Sequence, residues 1–174
     1  MKYNKNFNKG FTLIETIIVM AGSAVLLLAV IAVAITSIQG SNKSDAQALI
    51  DQEGAWIIGQ IKEQILSADP EFVICAGNFR SLQIASLRDG GQTTYTCNGT
   101  APYIASASAT LSGNTTYNLV GTNMEVTDCS QFVTCTNTDY PLVNIKFTLQ
   151  TGINGGFFDT RVSKNFNEQF VVRN

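Results

Sequence analysis

The chain has 174 residues, a formal charge of −2 and no histidine. Without histidine there can be no Ser-His-Asp or Cys-His nucleophile and no His-ligated zinc. Charged residues are 14 % of the chain, against roughly a quarter in an average domain, and no basic patch invites nucleic acid.

Residues 1–10 carry Lys2, Lys5 and Lys9 and no acid, the form of a short removable leader. From Phe11 to Ile38 the only ionisable side chain is Glu15. A helix over that run would be roughly 42 Å long and would cross a bilayer core of about 30 Å. The lysines hold the N-terminal end in the cytoplasm, so everything after Ile38 is expected beyond the membrane. Glu15 stands out, because a carboxylate in an apolar span persists where it has a partner. Its own span offers no cation. Cutting the chain after Gly10 would create an α-ammonium on Phe11, about 6 Å of helix away, and staggered neighbouring helices could bring Glu15 of one copy to the amine of another.

Gly10, Phe11, Thr12, Leu13, Ile14 and Glu15, set between the basic leader and the apolar run, resemble the prepilin cleavage and methylation motif of type IV pilins and type II secretion pseudopilins. The resemblance covers roughly residues 5–67; beyond them it is one of architecture. It implies cleavage between Gly10 and Phe11 by a prepilin peptidase and N-methylation of Phe11. It also implies a single pass through the bacterial inner membrane with a cytoplasmic N-terminus, the helix lying in membrane lipid before assembly. An inner-membrane assembly platform would then draw the chain into a cell-surface filament with other pilin or pseudopilin subunits, with Glu15 setting their register. Two simpler readings compete: Ala32-Val33-Ala34 has the form of an ordinary signal-peptidase site, and the span could be an uncleaved anchor. Neither explains Glu15.

After Ser41 the composition becomes mixed, yet nothing stops a helix before Asp69-Pro70. Ala46, Ile50, Glu53 or Gly54, Ile57, Ile61 and Ile65 recur at threes and fours, with Leu49, Trp56, Ile58 and Leu66 widening the stripe; the isoleucines and Trp56 read as core. The expected elements are a membrane or filament-core helix over residues 11–38 and its amphipathic continuation over 39–68. Gly22 could permit close helix packing, and Gly40-Ser41-Asn42 is the candidate hinge.

Residues 69–174 are expected to form an exported, disulfide-containing β domain. Residues 72–75 read as a short strand. Residues 81–87 and 92–97, on either side of Arg88-Asp89-Gly90-Gly91, read as a hairpin. The Ala/Ser/Thr-rich stretch 100–114 reads as a meander, and residues 115–120 and 124–126 as weaker strands. Residues 142–150 give the clearest strand, Val143, Ile145, Phe147 and Leu149 alternating with polar residues. Two further strands are expected over 157–163 and 168–172. The fold class is therefore α+β, a long N-terminal helix packed on an antiparallel β-sheet.

Cys75, Cys97, Cys129 and Cys135 in an exported domain read as two disulfides with three possible connectivities. Local nesting favours Cys75 with Cys97 and Cys129 with Cys135, the second pair closing a seven-residue loop. Asn98-Gly99-Thr100 and Asn114-Thr115-Thr116 fit the glycosylation sequon and are taken as turns.

The expected function is a structural filament subunit. Asp128, Asp139 and Asp159 are too scattered for the C-terminal calcium loop of the major pseudopilin, which points to a minor member; Phe170-Val171-Val172-Arg173-Asn174 also resembles the tail of some minor members. The alternative is a membrane-anchored binding or adhesin domain recognising a surface, DNA or secreted cargo. No enzyme is expected: no glycine loop cradles phosphate, and Glu125 and Asp128 fall in a strand and a loop. No metal or other cofactor is called for.

Overall fold

A computed structural model describes residues 12–68, 70–75, 79–85, 91–98, 103–110, 113–136, 142–151 and 161–172. Gly10 and Phe11, and the turn at residues 86–90, lie outside these. The chain divides into two compact units, Met1–Ser41 and Asn42–Asn174.

One helix, α1 (Leu13–Ser67), belongs to both units. It begins at Thr12, whose backbone oxygen accepts the Glu15 and Thr16 amides at 3.1 and 3.2 Å. With no proline before Pro70 the backbone ladder has nothing to interrupt it, and α1 continues through Gly40 without the hinge. It ends where Ala68 donates to the Ile65 carbonyl at 3.4 Å, followed by a 3-10 turn, Pro70–Phe72.

In the first unit the apolar side chains of α1 are uncovered: Leu13 is 79 % and Leu28 69 % exposed. Its most apolar stretch has a mean hydropathy of 2.9, and the helix is long and apolar enough to span a membrane.

In the second unit α1 packs on an antiparallel β assembly, an α+β architecture. Ile50, Ile57, Ile61 and Ile65 are fully buried, together contributing roughly 6–12 kcal/mol by removal from water, an upper bound. Leu49, Trp56 and Leu66 do not join them and remain about half exposed, at 51, 47 and 50 %. At 3.6 residues per turn Trp56 stands about 120° around the helix from Ile50. The stripe is narrower than apolar composition alone suggests.

Five strands form the first sheet, in the order β1 (Val73–Cys75), β2 (Ser81–Ala85), β3 (Gln92–Asn98), β4 (Tyr103–Thr110), β5 (Gly113–Asn118). The expected hairpin is β2–β3, with Ala85 opposite Gln92. The stretch expected to meander is instead β4, paired along both edges with β3 and β5. Its Ala and Ser side chains are too small to show an apolar period, but its backbone is fully engaged.

The second sheet is built on β8 (Leu142–Thr151), in which every second residue is buried from Val143 to Thr151. Thr151 meets its burial by donating its hydroxyl to the Asn123 carbonyl at 2.8 Å. One edge of β8 pairs along its whole length with β9 (Val162–Val171). The other is shared: β6 (Met124–Asp128) takes the Thr148 to Thr151 end, with a register shift between Val126 and Asp128, and β7 (Val133–Thr136) takes the Leu142 to Ile145 end. Residues 162–171 are thus one strand, where two separate strands were expected, and only Phe166 and Phe170 in it are buried.

The disulfides are Cys75–Cys135 and Cys97–Cys129, with Cα separations of 6.1 and 5.7 Å, which corrects the local pairing. Cys75 and Cys97 lie on β1 and β3 with β2 between them, while Cys129 directly follows β6 and Cys135 lies on β7, towards opposite ends of one edge of β8. A Cys75–Cys97 bridge would cross that strand, about 9.6 Å, beyond the roughly 7 Å a disulfide reaches; the other local pair is separated along β8, where Asp128 faces Thr148 and Cys135 faces Val143. Both actual bridges join one sheet to the other. Cys129 to Cys135 is accordingly no closed loop; it includes the start of β7.

Candidate functional site

The candidate site is the N-terminal turn of α1. Thr12 caps it: besides its carbonyl contacts, its Oγ1 accepts the Glu15 amide at 3.4 Å, a weak form of the cap that satisfies a first-turn donor. Beyond the cap, polar side chains in the apolar run satisfy themselves on the helix's own carbonyls. Thr16 donates to Leu13 at 2.8 Å, Ser23 to Met20 at 2.9 Å, and Thr36 to Val33 at 2.9 Å. A hydroxyl can bond back in this way. A carboxylate cannot, because when ionised it is only an acceptor and the carbonyls above it offer no proton.

Glu15, the one ionisable side chain between Phe11 and Ile38, therefore depends on an outside donor. Among the described residues its carboxylate has neither an ion pair nor a hydrogen bond. It sits in the first helical turn, where the helix dipole favours negative charge, and the apolar residues around it, such as Ile14 and Ile18, are 68 and 66 % exposed. Its expected partner, the Phe11 amine, lies outside the described residues, as does the Gly10 cleavage position. The cysteines take part in no second site: all four are in disulfides. Glu125 and Asp128 are both exposed on β6, and the Asp128 carboxyl is held below its usual pKa by accepting the Ser130 amide at 2.9 Å. Among the described residues no group of three or more His, Cys, Asp or Glu is placed to hold a metal ion.

The second unit, Asn42–Asn174, contains two features that the sequence pattern does not announce. Asp51 on α1 bonds Lys164 on β9 at 2.7 Å, and this contact holds the Asp51 carboxyl below the usual carboxylate pKa. One turn further on, Gly54 lets the Phe166 ring lie directly on the helix backbone; a Cβ built there would be 2.6 Å from Phe166 Cε2. Phe166 is stacked on Phe147, ring centroids 5.2 Å apart and planes 20° from parallel. The only advance signal was a glycine placed on the buried stripe.

Comparison of the chain with protein-family models, with curated proteins and with solved structures finds no match.

Proposed function

We propose that this chain is a structural subunit of a helical filament of the type IV pilus or type II secretion pseudopilus kind. The observation that carries the reading is the contrast within α1. A long uncovered apolar helix satisfies Thr16, Ser23 and Thr36 internally, yet keeps one unmatched carboxylate in its first turn. Packing many such helices side by side removes their apolar surface from both lipid and water. It also makes the position of each carboxylate decisive.

In that process prepilin peptidase cleaves after Gly10, and the new amine of Phe11 becomes N-methylated but stays cationic. The subunit waits in the inner membrane with its N-terminus cytoplasmic and its disulfide-bonded domain outside. An assembly platform then brings Glu15 of the entering copy to the amine of the previous one. A buried ion pair adds little net stability relative to an apolar contact, whereas an unpaired buried charge costs several kcal/mol. The pair therefore penalises wrong stagger more than it strengthens right stagger.

N-terminal sequencing of the protein purified from its own cells tests the first step: a chain beginning at N-methylated phenylalanine is expected, and one retaining Met1 or beginning at Ile35 refutes it. Glu15→Val tests the second, with normal insertion and cleavage but loss of filament incorporation expected; wild-type incorporation would remove the registry role.

A further inference from the structure

On the exported half of α1, Gly54 is explained by Phe166, but Gly59 is not. A Cβ added at Gly59 meets nothing within 4 Å, so alanine would fit and would favour the helix by about 1 kcal/mol. Gly59 lies 180° around the helix from Ile50, on the crest facing away from the core. No contact among the described residues accounts for it.

The two shoulders beside that crest differ. About 120° from Ile50 in one direction stands Trp56, with Glu63 close beside it on the same shoulder. About 120° in the other direction stands Lys62, and there a groove of ≈ 490 Å³ opens between the helix and β9. Gly59, Ala55 and Ile58 line its helix side and Glu168 its strand side, and Lys164 is engaged with Asp51. Among the described residues, Lys62, Glu63 and Glu168 form no ion pair. One shoulder thus offers a half-exposed indole beside an unpaired acid. The other offers a groove with an unpaired cation and, in Glu168, an acceptor for an indole N–H.

We infer that the Trp56 shoulder of one copy seats in the Gly59 groove of a second copy of this chain. The indole would lie over Gly59, where a side chain would hold it off, with its N–H directed to Glu168 and with Glu63 of the first copy against Lys62 of the second. The two surfaces are different patches of the same chain, so the contact is heterologous: it leaves a free groove at one end and a free indole at the other, and repeats. The inference takes its setting from the filament reading and adds to it a contact between exported domains, independent of Glu15.

The test uses the full-length chain in its own cells. Gln60→Cys, one turn from Trp56, and Ala55→Cys, on the groove wall, leave Trp56 and Gly59 in place; these single variants carrying different tags are co-expressed, and sheared filaments are treated with a short bis-maleimide. Covalent dimers containing both tags are expected, with none from assemblies of either variant alone. Gly59→Gln and Trp56→Ala should leave the melting temperature within a few degrees of wild type or above it while lowering filament yield by at least roughly tenfold, the effect of losing an interface hot spot. Lys62→Glu should do the same, and Glu63→Lys in the same chain should restore assembly. Filaments that form at normal yield without mixed-tag dimers overturn this contact alone. Dimers from a single-variant assembly overturn it too, by showing a symmetric contact. A processed chain that forms no filament overturns this contact and the filament reading together.

Discussion

Replacing Gly54 by alanine should destabilise the unit Asn42–Asn174 although it improves helix propensity. The added methyl favours the helix by about 1 kcal/mol. It also falls within overlap distance of three carbons of the Phe166 ring. That ring cannot retreat freely: it stacks on Phe147, which itself lies 6.3 Å from Phe132, ring centre to ring centre, and both Phe132 and Phe147 are almost wholly buried. Forcing a methyl into such packing costs about 1–3 kcal/mol, and near the upper end when neighbours are locked. The net effect should be a loss of about 1–2 kcal/mol, lowering the melting temperature by roughly 3–10 °C in a domain of this size. Thermal unfolding followed by near-UV circular dichroism on the oxidised protein measures it, with Gly59→Ala as the control that should be neutral or stabilising. Shrinking the ring with Phe166→Leu in the Gly54→Ala background should recover part of the loss. If Gly54→Ala melts at or above the wild type, the helix and β9 do not approach as described.

Non-reducing peptide mapping should recover Cys75 linked to Cys135 and Cys97 linked to Cys129; a fragment joining Cys75 to Cys97 would contradict the strand order. The 60- and 32-residue separations are long, so in the chain-entropy model removing either bridge by paired serine substitution should cost about 4 kcal/mol, read from denaturant unfolding. Asp51 has a folded pKa held below its ordinary 3.8 by Lys164. The stability its ion pair contributes is therefore present above that ordinary value and lost as pH falls through the lowered one. The stability difference between wild type and Asp51→Asn should be flat at neutral pH and vanish in strong acid. An Asp51 titration midpoint at or above 3.8 in the folded protein would count against the pair.

Some elements declared themselves in the residues because one physical signal dominates them. In β8 a single buried face imposes strict alternation, visible from Val143 to Leu149. The isoleucines of α1 repeat at helical spacing because they face one core. Elsewhere that signal is weak or missing. β4 is held by its backbone on both edges while its alanines and serines carry no pattern, and in β9 polar residues such as Lys164 and Glu168 occupy the face that also bears Phe166 and Phe170. The cysteine pairing was misread because proximity in sequence was taken as a guide, whereas the decisive quantity is where the strands place two positions, across β2 for Cys75 and Cys97 and along β8 for Cys129 and Cys135. Trp56 was misplaced into the core for a related reason: its apolar character was weighed and its angle on the helix was not. At the candidate site, the position of Glu15 was evident from charge alone. What the fold adds is the internal satisfaction of Thr16, Ser23 and Thr36, which singles out the acid as the group requiring help from elsewhere.

The bridge from Cys75 to Cys135 also governs how the molecule bears tension. A pull transmitted between the helix and the C-terminal strand passes through that covalent short cut, so the residues it encloses, 60 in sequence separation, cannot be paid out. Stretched individually, the oxidised protein should extend about 200 Å less than after reduction, at roughly 3.4 Å per enclosed residue. Force spectroscopy with and without reductant would show that missing length, and a fibre built from such units would resist elongation by the same amount at every joint.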